Sequence, residues 1–243
     1  MNVLIIGYGV VGQNLYKELE RLKPEVYDKY KGYRCGHRSC DQYDLAFICV
    51  DTPLKGTILD MTEVENAIQE NNSKIYVIKS TCPIGTCDRL KEKYGKHIVI
   101  SPEYYGNTQH CNNYDFNFTI LGGDREDCIE VQQILQHCYD GSHKFRIVDS
   151  RYAEMVKFME NSWLAAKVSF CNEFFDICNK YGLDYEELRE LFILDPRVNP
   201  SHTFVYRDTP YWDSHCLNKD VTCIAQDGNL LKSIIEFNRG RLL

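Results

Sequence analysis

Three glycines at the spacing Gly7-Tyr8-Gly9-Val10-Val11-Gly12 follow the β-branched run Asn2 to Ile6 and lead straight into a helical stretch ending near Leu22. Strand, glycine turn and helix in that order form a cradle for a pyrophosphate. Gly7 allows the turn, Gly9 lets backbone N–H groups near Val10 and Val11 approach phosphate oxygens, and Gly12 lets helix and strand pack closely. The helix N-terminus then faces the phosphates with the positive end of its dipole. Val26-Tyr27-Asp28 reads as a second strand ending in an acid. A carboxylate there accepts hydrogen bonds from an adenosine ribose and repels a 2′-phosphate, which points to NAD rather than NADP. Glycines at this spacing recur by chance in tight turns; the flanking strand, helix and acid make the fingerprint specific.

Other residues capable of chemistry are less self-explanatory. Lys157 and Asn161 stand four apart, so on a helix they share one face. By itself that is usually a solvated face. The chain has twelve cysteines, scattered along its length. Cys49, Cys128, Cys171 and Cys178 lie within apolar patterns, where cysteine acts as a small hydrophobe. The tightest cluster, Cys35 to Cys40, is followed by no second ligand pair at zinc-site spacing, so no metal is expected.

Composition narrows the classes. Hydrophobic residues at 44% and charged residues at 26% describe an ordinary globular protein. A net charge of -7 argues against a nucleic-acid surface. The apolar runs Met1–Ile6 and Leu45–Val50 fall far short of the roughly 20 residues of a membrane span. The start shows no basic region with a cleavage site, so a cytoplasmic location is expected.

These residues need a scaffold. Strands are predicted at 2–6, 26–28, 44–50, 75–80, 98–101, 118–121 and 144–148, several of them separated by helical patterns. Such alternation implies a Rossmann-like, doubly wound parallel sheet over residues 1–149. Residues 152–181 then run without Gly or Pro and with apolar residues at helical spacing, which predicts one long helix. Further helices are expected at 183–192 and 220–238. Residues 150–243 should therefore form a smaller all-helical domain built on the long helix.

Five segments, in order, resemble the nucleotide-sugar dehydrogenases that oxidise UDP-glucose or GDP-mannose: Val50-Asp51-Thr52-Pro53, Ser80-Thr81-Cys82-Pro83-Ile84-Gly85-Thr86, Ser101-Pro102-Glu103, the long helix from Ala153 through Asn172-Glu173, and Cys216-Leu217-Asn218-Lys219-Asp220. The resemblance implies a four-electron oxidation of a sugar C6 alcohol by two successive NAD molecules. In it Cys216 is the nucleophile, adding to the aldehyde to give a hemithioacetal and then a thioester that water cleaves. It also implies that Lys157 and Asn161 polarise the reacting oxygen. Asp220 and Glu103 would activate or orient water, and Thr81 would hold that water and touch the cofactor. Thr52 and Lys219 are expected at the cofactor, and Glu103, Lys157, Asn161 and Arg197 at the substrate. Arg197 would reach a neighbouring subunit's substrate, and a homodimer through the long helix is expected.

Two departures accompany the resemblance. The family's glycine-rich stretch before the cysteine is replaced by Tyr211-Trp212-Asp213-Ser214-His215, which predicts added bulk at the pyranose pocket. The family continues into a third, α/β domain, whereas this sequence stops at Leu243, so a shortened form is expected. Three readings follow. The first is an NAD-dependent nucleotide-sugar 6-dehydrogenase, with UDP-glucose as substrate. The second is a catalytically weak or inactive NAD-binding remnant or subunit that needs a partner chain. The third, a β-hydroxyacid dehydrogenase with the same layout and a helical Lys-x-x-x-Asn, requires no essential cysteine.

Overall fold

Four consecutive buried apolar residues make β1 (Val3–Ile6), the pattern of a strand covered on both faces. In the computed structural model, which describes residues 1–33, 43–105 and 116–242, this strand lies inside a seven-stranded sheet. From β1 the chain runs through α1 (Val10–Glu18) to β2 (Glu25–Tyr27), then β3 (Tyr43–Ile48) and the small hairpin β4 (Leu54–Lys55) and β5 (Ile58–Leu59). It continues through α2 (Thr62–Glu70), β6 (Ser73–Ile78), α3 (Thr86–Tyr94), β7 (His97–Ile100), β8 (Phe118–Gly122), α4 (Arg125–Leu135) and β9 (Lys144–Val148).

The sheet order is β2-β1-β3-β6-β7-β8-β9. From β1 the chain moves outward to β2 and then returns to the other side of β1 as β3. The carboxyl ends of β1 and β3 therefore border a topological switch point, where open α/β sheets bind ligands. Alternate residues of the strands bury opposite faces: Val3, Ile5, Leu45 and Phe47 pack against Leu15 of α1 and Leu19 just past its end. The sheet departs from the all-parallel expectation at one place, because β8 meets β7 antiparallel, Ile100 opposite Gly122. Strand and helix patterns report element type, and nothing in them sets a strand's direction. β9 returns parallel to β8 across α4, a regular βαβ crossover.

The chain divides into two compact units, with the boundary inside α5 (Ser150–Tyr181), after Lys157. The second unit holds the rest of α5 with α6 (Tyr185–Phe192), α7 (His215–Ile224) and α8 (Asn229–Arg239). Asp184 caps α6, accepting from the N–H groups of Glu186 and Glu187. Leu217, Val221, Ala225 and Ile235 gather around Ala165, Val168 and Trp212 to make this unit's core. The single helix predicted for residues 220–238 is two helices, separated by a one-turn 3-10 helix (Ala225–Asp227) and an extended Gly228. The first begins at His215 because Ser214 caps it, its hydroxyl accepting from Leu217 N at 3.1 Å. Among the described residues no helix is long and apolar enough to cross a membrane.

Candidate active site

The glycine turn leaves β1 with Gly7 at φ 92°, a conformation that a side chain would strain. A Cβ on Gly7 would also lie 2.6 Å from the Cys49 carbonyl oxygen, so the ends of β1 and β3 touch there. At Gly12 a Cβ would sit 2.0 Å from the Gly7 oxygen, which forces helix and turn together. Gly9 is different: among the described residues nothing lies within 4 Å of its Cβ position. No side chain among the described residues caps α1, and its first turn holds no acid. Bare backbone, open space and the positive end of a helix dipole fit a pyrophosphate.

Asp28 lies just beyond β2. It accepts from Tyr8 N at 2.8 Å on one oxygen and from Tyr30 N and Lys31 N, each at 3.0 Å, on the other. Burial pushes its carboxyl up, but the N–H groups of Tyr8, Lys31 and Tyr30 and the Lys31 ammonium outweigh that and hold it below the usual carboxylate range. Asp28 thus presents negative charge beside the glycine turn while tying that turn to its own loop. Lys31 completes the tie, donating from Nζ to the Tyr8 oxygen at 2.7 Å.

The loops after β3 and β6 are joined by Thr52, whose hydroxyl donates to the Thr81 oxygen at 3.0 Å, and by Ser80, whose hydroxyl donates to the Val50 oxygen at 2.6 Å. Glu154, which has no role in the sequence reading, anchors the second loop from α5. Its oxygens accept from Gly85 N at 2.5 Å and Cys87 N at 2.8 Å, satisfying the first turn of α3. Burial raises the Glu154 carboxyl, and those N–H groups oppose the rise. A signal for it did exist: Glu154, Lys157 and Asn161 recur at three and four residues, one face of one helix, and all three are buried.

In the first unit Glu103 is buried on the loop after β7 and accepts from Tyr105 N at 2.7 Å. Lys157 places its Nζ 5.1 Å from the centre of the Tyr104 ring, a cation–π contact. Lys79, also absent from the sequence reading, donates to Ser101 Oγ at 3.2 Å. Burial lowers its ammonium and Lys157 adds to that, while Cys49, Glu18 and Glu103 act in the opposite direction.

The second unit brings three of the expected residues together. Asp220 is fully buried; one oxygen accepts from Asn161 Nδ2 at 2.6 Å and the other from Lys219 Nζ at 2.7 Å. Cys216 occupies the second position of α7 and is exposed. It stands one helical turn before Asp220, where the helix dipole favours negative charge. Trp212 does not add bulk to an open pocket as its sequence position suggests. Its indole is in the helical core, with Nε1 donating to Ser169 Oγ at 3.0 Å and both backbone groups paired with the Asn238 amide. Arg197 is exposed and forms a two-pronged ion pair with Asp195, its Nη2 at 2.6 Å. Cys35 and Cys40 lie outside the described residues, and among those described no group of three His, Cys, Asp or Glu could hold a metal.

Residues 17–141 match the NAD binding domain of the UDP-glucose/GDP-mannose dehydrogenase family, and residues 151–238 match its central domain. The chain belongs to the UDP-glucose/GDP-mannose dehydrogenase family. Its glycine turn immediately precedes the matched NAD-binding segment. The UDP-glucose 6-dehydrogenase of Rickettsia prowazekii is 27% identical over 219 residues, covering 82% of this chain and 50% of that protein. The UDP-N-acetyl-D-mannosamine dehydrogenase of Methanococcus maripaludis is 28% identical over 209 residues, 81% of this chain and 47% of that protein. The chain thus spans about half the length of these curated relatives. A UDP-glucose dehydrogenase from Pyrobaculum islandicum shares the fold at a TM-score of 0.79 with 19% identity, over 98% of this chain and 68% of that one. A 3-hydroxyisobutyrate dehydrogenase from Mycobacterium tuberculosis does so at 0.69 with 14% identity, over 98% and 92%. Likeness at those identities speaks for the fold alone.

Proposed function

We propose that this chain carries out the NAD-dependent oxidation of a nucleotide sugar at its C6 alcohol, with UDP-glucose as substrate and Cys216 as nucleophile. The observation that carries this reading is the buried Asn161–Asp220–Lys219 chain, whose Asp220 and Lys219 share α7 with the exposed Cys216 thiol. A buried carboxylate with an amide and an ammonium on its two oxygens is costly to build and suits a site that must hold charge in fixed positions.

In balance, the CH2OH group and one water give two hydrides and three protons and leave a carboxylate. NAD, when bound, accepts a hydride in each of two rounds. Lys157 and Asn161 steady the oxygen as it passes from alcohol to aldehyde to oxyanion. Cys216 sulfur adds to the aldehyde carbon; loss of the second hydride makes a thioester, and water breaks the C–S bond and returns the thiol. Glu103 or Asp220 takes the water's proton, with Thr81 orienting that water. The glycine turn, Asp28, Thr52 and Lys219 serve the cofactor, and Arg197 serves the sugar nucleotide of a partner copy.

The test mixes the protein with NAD and UDP-glucose and follows NADH by absorbance. Two NADH per sugar are expected, and Cys216→Ser should abolish turnover. NAD binding without NADH favours the second reading, a subunit that acts with another chain; the chain's span of half its relatives makes that outcome meaningful. Oxidation of a hydroxyacid untouched by Cys216→Ser would favour the third, whose fold the 3-hydroxyisobutyrate dehydrogenase shares.

A further inference from the structure

Glu103 sits on a loop, and loops hold a reacting group less precisely than helices or strands do. In this chain the segment from Ser101 to Tyr105 is held at two points. At its start, Ser101 N donates to the Ile78 oxygen at 2.9 Å while Ser101 Oγ accepts from Lys79. At its end, Tyr105 makes two bonds in different directions: its N–H donates to Glu103 Oε2, and its hydroxyl donates to Glu18 Oε1. Glu18's other oxygen accepts from the Tyr139 hydroxyl at 2.6 Å. Glu18 is the last residue of α1, the helix whose first turn adjoins the glycine cradle.

We infer that Glu18 is a positioning residue for Glu103, acting through Tyr105. The two phenols are durable donors: burial first, and then the Glu18 charge, push both far above the ordinary tyrosine range. The Glu18 charge also favours the ammonium form of Lys79, which burial and Lys157 oppose. One helix therefore serves the pyrophosphate cradle with its first turn and the Glu103 loop with its last residue. The inference rests on the reading of Glu103 as a carboxylate of the reacting site, and it depends on no residue of the second unit.

Tyr105→Phe removes the hydroxyl and keeps the N–H; Glu18→Gln removes the charge and keeps the shape. Both are expected to lower kcat about tenfold, leaving KM for NAD and sugar nucleotide within about twofold and Tm nearly unchanged. Unchanged kcat in both, alongside a strongly impaired Glu103→Gln, overturns the inference and leaves the reading of Glu103 standing. Full activity in Glu103→Gln sinks that reading instead. Amide hydrogen exchange decides the clamp independently of any activity. Exchange at residue 105 should rise about tenfold in Tyr105→Phe as the loop loosens, and an unaltered rate there overturns the inference even in a protein that makes no NADH.

Discussion

At Gly12 an added Cβ would lie 2.0 Å from the Gly7 oxygen, and at Gly9 it would meet nothing within 4 Å among the described residues. The two positions of one motif therefore fail differently. Gly12→Ala is expected to cost about 3 kcal/mol of stability through forced separation of helix and turn, lowering Tm and NAD affinity together. Gly9→Ala should leave Tm where it is and weaken NAD binding at least about tenfold, because its methyl group occupies the space a pyrophosphate needs. Calorimetric titration with NAD beside a thermal melt separates them; undiminished NAD binding by Gly9→Ala would remove the glycine turn as the phosphate cradle. These glycines were legible because their partners are close in sequence. Asp28's grip on Tyr8, Tyr30 and Lys31 is similarly local. By contrast, the bond from Asn161 to Asp220 spans 59 positions, and only the family resemblance singled out both residues in advance. Glu18 and Glu154 had no such help, since each acts on a loop distant in sequence.

Between elements, three donors of α3 converge on one carboxylate of α2, beside a bond from Gln69 of α2 to the Tyr94 hydroxyl at 2.8 Å. Glu65 of α2 receives Arg89 at 2.7 Å, Lys93 at 2.6 Å and the Tyr94 hydroxyl at 2.7 Å, all from α3. Burial alone would raise its carboxyl, but these donors hold it at about 2, against an ordinary 4.5. A depressed folded-state value stabilises above the unfolded one, so the contribution is complete above about pH 4.5 and is lost as pH falls toward 2. Glu65→Gln should lower stability by about 1–2 kcal/mol near neutral pH. The gap between its Tm and that of the unaltered protein should close on acidification; a gap constant with pH would mean that charge is not what joins the helices. At this scale apolar runs and helical spacing revealed most elements, while direction and breaks escaped. The reversal of β8 shows only in its pairing with β7, which an apolar run does not encode, and the division of the last helix comes from an extended Gly228 that the apolar pattern on either side concealed.

For the whole chain, the sequence conveyed two successive architectures, because a switch from short buried strands to 32 helical residues is a change of period. Association is a matter of what α5 leaves uncovered. Tyr152, Trp163 and Phe174 recur at eleven-residue intervals, as do Met159, Phe170 and Tyr181, so all six exposed side chains keep to one side of the helix. A face of that kind, apolar and continuous, suits a second copy of this chain. Sedimentation should find a dimer, and Trp163→Glu should yield monomers with the fold intact by circular dichroism. A monomer before any substitution would exclude this interface and, with it, a role for Arg197 in a neighbour's site.

The protein's two tryptophans differ as much as two indoles can: Trp163 is 63% exposed on α5, and Trp212 is 6% exposed in the helical core with its N–H bonded to Ser169. Intrinsic fluorescence is thus the sum of a wet emitter and a dry one. While α5 is uncovered, acrylamide should reach the first and not the second. Covering α5 moves the red component toward the blue, whereas melting the core moves the blue component toward the red, so one emission spectrum carries assembly and unfolding as opposite displacements.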